Sequence, residues 1–195
     1  MKKAIAYIAL ALVLAEVVLI LLSWFLTATM TDGVRSLLTS EGIRFFFGSF
    51  TQMLQKPLLV WLLLLSMAWG SLSASGLLQA FTRNTAGRQR MALRLTVLVL
   101  GLMVTVVLLL TAMPHAVLLS ATGRLWPSPF SRALVPIVAF AVIMLSIVYG
   151  LMTRRFPSLT DVWQSMTHGL ALAAPLLLLY VLAVQLFESL RFVFN

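Results

Sequence analysis

Of 195 residues, 62% are apolar and 10% are charged, against about 45–50% and about 25% in soluble domains. With a mean hydropathy of +1.06, a chain this size cannot hide its apolar surface in one core. That excludes a soluble enzyme, a disordered chain and a secreted disulfide scaffold. The net charge of +9 comes from 14 Lys and Arg against 5 Asp and Glu. These cations are scattered between apolar runs, so they signal topology and contacts with anionic headgroups rather than a nucleic-acid surface.

A bilayer core of about 30 Å takes about 20 helical residues. The first run that meets this is 4–26, preceded by Lys2 and Lys3. It is longer than the roughly 7–15 apolar residues of a signal peptide, so it is expected to be a retained span. The stretch 32–56 is too polar to cross. Val34, Leu37, Leu38, Ile43, Phe46, Phe47 and Phe50 alternate there with Arg35, Glu41 and Arg44. It reads either as an in-plane amphipathic segment starting near Ser40 and Glu41, with Gly42 a weak point, or as a loop packing its aromatics on the bundle.

A second span is expected at 57–80 and a third at 95–113, joined by the arginine-rich loop 83–94. The loop 114–131 holds Pro114, Gly123, Pro127 and Pro129, which forbid a regular helix, while Trp126 and Phe130 suit a headgroup-level anchor. Spans at 134–152 and 167–187 complete the count at five. The runs are continuously apolar, without the period-two alternation of a membrane β-barrel. The expected fold is all-α, a single transmembrane domain of five helices over residues 1–195.

With the N-terminus cytoplasmic, Lys2, Lys3, Arg83, Arg88, Arg90, Arg94, Arg154 and Arg155 lie inside. Arg35, Arg44, Lys56, Arg124, Arg132 and Arg191 lie outside. Eight against six obeys the positive-inside rule. There are no cysteines, and the two histidines, His115 and His168, are too far apart for metal-ligand spacing. No catalytic set, phosphate loop or cofactor site is expected.

The polar and small residues inside the spans carry what functional signal there is. Glu16 sits at the thirteenth of 23 positions in its run, near the expected bilayer centre. An unpaired charge there costs at least about 2.5–3.5 kcal/mol. Glu16 is therefore either a proton- or cation-linked site or a neutral carboxyl that joins helices or subunits. Ser66, Gly70 and Ala74 are four apart on one helix face, the spacing that lets another backbone approach closely. They serve tight packing or line a groove. Pro175 removes a bond to the Ala171 carbonyl and is expected to kink the last span. Gln185 sits near its outer end as an interfacial hydrogen bonder.

The stretch 122–187 contains Ser128-Pro129-Phe130, Val135-Pro136-Ile137, Tyr149-Gly150, Asp161-Val162, Met166 and the series Ala183, Gln185, Phe187. Earlier come Val34-Arg35-Ser36-Leu37-Leu38, Glu41-Gly42-Ile43-Arg44, Gly70 and Ser75-Gly76-Leu77. In this order the motifs resemble the p-aminobenzoyl-glutamate transporter family, AbgT. Members of that family are longer, with two re-entrant hairpins that carry the substrate and coupling-ion residues. No counterpart of those hairpins is recognisable here, and Ser73 or Ala74 stands where the family tends to place an acid. The resemblance implies a truncated member that keeps the outer framework, in a bacterial inner membrane, and it carries over no transport residue. Two functions follow. One is a non-catalytic membrane subunit or scaffold, in a homo-oligomer or a hetero-oligomeric complex. The other is a reduced transporter of small anionic aromatic compounds.

Overall fold

The computed structural model describes residues 2–29, 33–82, 87–112 and 129–194. These form eight helices and no strand among the described residues: α1 Lys2–Ala28, α2 Ser40–Gly48, α3 Phe50–Leu54, α4 Pro57–Ser75, α5 Leu77–Thr82, α6 Arg88–Ala112, α7 Pro129–Met152 and α8 Leu159–Phe194. Five of them, α1, α4, α6, α7 and α8, are long and apolar enough to cross a membrane. The protein is an all-α multi-pass membrane protein.

Local chemistry sets most of the boundaries. Thr39 caps α2 by accepting the Gly42 amide on its hydroxyl at 3.2 Å, and Glu41 stands in the first turn. Pro57 opens α4, where a missing amide hydrogen costs nothing. Gly76 ends it at φ +70, a left-handed cap that favours glycine. The span expected over 57–80 is therefore divided, with α5 following the cap. At the head of α8, the Ser158 amide and hydroxyl donate to Asp161 Oδ2 at 2.9 and 2.6 Å, and the Asp161 amide donates back to Ser158 Oγ. This reciprocal cap starts the helix well before the expected position 167. The helix then runs through Pro175 to Phe194, and its 36 residues span about 54 Å.

Two further expectations change. The loop placed at 114–131 ends sooner, because Pro129 is the first residue of α7. Trp126, Pro114, Gly123, Pro127, Arg83 and His115 lie outside the described residues. Gly42 is not a weak point, since it is buried against the backbone of Ser36 and Leu37, where a Cβ would find no room.

The chain divides into two compact units. The first comprises residues 1–60 and 174–195, the second 61–173. In the first, Leu19 of α1, Leu37 and Val193 of α8 form a buried cluster joined by Ile20, Val34, Phe45, Leu186 and Phe192. The Leu37 amide donates to Ser23 Oγ at 3.2 Å, and the Arg35 amide donates to the Val193 carbonyl at 3.0 Å. The segment after α1 is thus folded back against it. Glu16 meets Ser189 and Leu19 meets Val193, so α1 and the end of α8 ascend together and run parallel. In the second unit, Leu77, Ala80, Ala92 and Tyr149 form the buried centre.

Candidate functional site

Within the first unit, the polar residues of α1 and α8 meet. Ser189 Oγ donates to Glu16 Oε1 at 2.6 Å, and the Ser189 side chain is fully buried. One turn earlier on the same face of α8, Gln185 is 8% exposed. Its amide nitrogen, the second oxygen of Glu16 and the Tyr180 hydroxyl are buried without a hydrogen-bond partner among the described residues. Next to Ser189, Glu188 accepts a hydrogen bond from Lys56 Nζ, and the lysine lies 5.4 Å from the centre of the Phe187 ring. Glu16 therefore does not stand alone in hydrocarbon. It faces the polar end of α8, where Glu188 and Lys56 also pair.

The small residues of α4 also have a definite partner, in the second unit. A Cβ on Gly70 would stand 2.7 Å from the Gly169 Cα and amide nitrogen and would collide with the Ser165 carbonyl. A Cβ on Gly169 would in turn collide with the Ser66 carbonyl and stand 2.8 Å from the Gly70 Cα. Two pairs four residues apart, Ser66/Gly70 and Ser165/Gly169, thus let two backbones touch. All four residues are buried, whereas Ala74 is exposed and takes no part. Pro175 is exposed as well. The Ser165/Gly169 half was readable from spacing alone, but Gln164, Thr167 and His168 around it mask the pattern.

The arginines read from sequence as topology markers have structural duties too. Arg88 Nε donates to the Met152 carbonyl at 2.8 Å, closing the end of α7. Arg155 Nη2 donates to Gln79 Oε1 at 3.2 Å, and its guanidinium fills the space that a Cβ on Gly76 would need. Arg154 holds a left-handed φ of 58, which turns the chain so that the Arg155 and Phe156 amides both reach the Gly150 carbonyl. The buried Phe156 ring then lies on Gly150, again where no side chain would fit. No group of three or more metal-ligating side chains occurs among the described residues.

The Tyr149-Gly150 pair that closes α7 is thus a packing device, with Tyr149 in the buried centre of its unit. It lies in a stretch that decides the family. Residues 82–192 match the AbgT putative transporter family. The chain belongs to the AbgT family. The AbgT match takes in α6, α7 and nearly all of α8, and so includes Gly169, Gln185 and Ser189. The motifs of residues 34–44 and 70–77 lie outside it, as do Glu16, Ser66 and Gly70. Each of the two interhelical contacts therefore joins a residue within the AbgT match to one outside it. No curated protein and no solved structure matches the chain.

Proposed function

We propose that this AbgT-family chain is a non-catalytic membrane subunit, a helical framework that holds a larger assembly in the cytoplasmic membrane of a bacterium. The observation that carries this reading is that the polar and small residues inside the spans are engaged in helix contacts. Glu16 is bonded to Ser189, and Ser66 and Gly70 are pressed against Ser165 and Gly169. Residues engaged in helix contacts are not free to line a path. The assembly is a homo-oligomer or a complex with another membrane protein, because α1 leaves large apolar side chains exposed along its length. Lipid covers some of that surface, and a neighbouring subunit covers the rest.

The test is Glu16→Gln, which keeps shape and hydrogen bonding but removes titration. A framework keeps its abundance and its native oligomeric mass in this variant. Loss of activity at normal abundance and assembly overturns the proposal. It would restore the second reading, favoured by family membership: a reduced transporter of small anionic aromatic compounds in which Glu16 is the coupling group. A stable functional monomer in native mass spectrometry would remove the subunit role.

A further inference from the structure

Beyond the framework role, the end of α8 forms a cavity of about 320 Å³ lined by Arg35, Phe45, Glu188, Arg191 and Phe192. Its two guanidiniums come from positions 156 residues apart in sequence. The bond from the Arg35 amide to the Val193 carbonyl ties the Arg35 backbone to the end of α8, and both arginines line the same cavity. Phe45 and Phe192 stack with ring centres 4.2 Å apart and form an apolar wall. The carboxylate on the lining, Glu188, is already neutralised by Lys56. Arg35 approaches Glu41 only at 3.9 Å, in a largely exposed pair of the kind that contributes little. Arg191 has no ion-pair partner among the described residues. Among the described residues, two cations thus share one cavity with no anion free to lie between them.

We infer that this cavity binds a phosphate ester through Arg35 and Arg191, with the Phe45–Phe192 wall against its apolar part. A planar guanidinium offers paired donors that match phosphate oxygens, and two converging forks hold one such group better than either alone. The setting supplies the ligand class. The apolar run of α8 ends at Phe187, one residue before Glu188, and α4 begins at Pro57, one residue after Lys56. Charged residues gather where the apolar runs of α4 and α8 stop, and the Glu16–Ser189 bond brings Glu16 to this same polar end of the first unit, where phosphate headgroups are the abundant anion. The shared chemistry is a phosphate ester, supplied either by an anionic lipid or by a soluble metabolite.

The experiment is native mass spectrometry of the purified full chain in mild detergent, with phosphatidylglycerol or phosphatidylcholine added. The expected result is one tightly retained phosphatidylglycerol per chain, and weaker retention of phosphatidylcholine. Arg35→Gln with Arg191→Gln lowers the retained fraction about tenfold or more, as the loss of two charge-assisted bonds requires. Arg44→Gln removes an exposed arginine outside the cavity and leaves retention unchanged. Unchanged helical content by circular dichroism shows that the double variant is folded. Displacement of the lipid by millimolar glycerol phosphate identifies a soluble ester site, and persistence of the lipid identifies a headgroup site. Equal retention of phosphatidylglycerol by the wild type and the folded double variant overturns the inference, as does an equal loss in Arg44→Gln. None of these readings depends on whether the chain transports.

Discussion

Glu16 has one carboxyl oxygen in a 2.6 Å bond to Ser189 and the other buried without a partner among the described residues. The half-satisfied state follows from geometry: a serine hydroxyl has one hydrogen to give. The bond joins α1 to α8 across 173 positions of sequence. Intramembrane hydrogen bonds of this kind average about 0.6 kcal/mol and reach about 1.7, because the separated helices find other partners. Glu16→Leu and Ser189→Ala are therefore each expected to weaken the first unit modestly. Together they cost less than the sum, by about 0.6–1.7 kcal/mol. A double-mutant cycle of detergent or denaturant unfolding measures this coupling. Strict additivity would show that the bond contributes nothing to stability.

At the scale of elements, the contact between α4 and α8 is the more demanding one, because it leaves no space for a methyl group on either helix. A Cβ at Gly70 or Gly169 meets backbone, which cannot turn aside as a side chain can. Gly70→Ala and Gly169→Ala are each expected to cost about 1–3 kcal/mol, the range for overpacking a fitted core. Ala74→Val, four residues along the same stripe but exposed, is expected to be close to neutral. Thermal unfolding in detergent separates these outcomes, and equal effects at positions 70 and 74 would refute the assignment. The helices themselves were legible from apolar run length, because in a bilayer every backbone bond must close within its own segment. The partner of each polar or small residue was not legible. Spacing shows that Ser66 and Gly70 share a face, but not which helix meets it, and the ends were hidden where caps decide them. Asp161 and Ser158 begin α8 eight residues before its apolar run is apparent, and Gly76 stops α4 inside a stretch that hydropathy alone would continue.

For the whole molecule, the direction of α1 relative to α8 constrains topology independently of charge. Glu16 pairs with Ser189 and Leu19 clusters with Val193, so both helices ascend in the same sense. Parallel first and last spans require an odd number of crossings, and the five long apolar helices among the described residues satisfy that requirement. Their two ends then face opposite sides of the membrane. By the positive-inside rule, the expected arrangement has Lys2, Lys3 and the arginines of 88–94 and 154–155 in the cytoplasm and Arg35, Arg44, Lys56 and Arg191 across the bilayer. Several of those arginines also hold helix ends in place, as Arg88 does for α7, so their positions answer to packing as well as to insertion. The absence of native cysteine makes the test direct. Gln52→Cys on α3 and Gln89→Cys at the start of α6 are both exposed positions. An impermeant thiol reagent applied to intact cells is expected to label position 52 and to reach position 89 only after the membrane is opened. Labelling at 89 from outside with protection at 52 would invert the orientation while leaving the parity argument in place. Labelling of both from outside would break the parity itself, and with it the parallel pairing of α1 and α8.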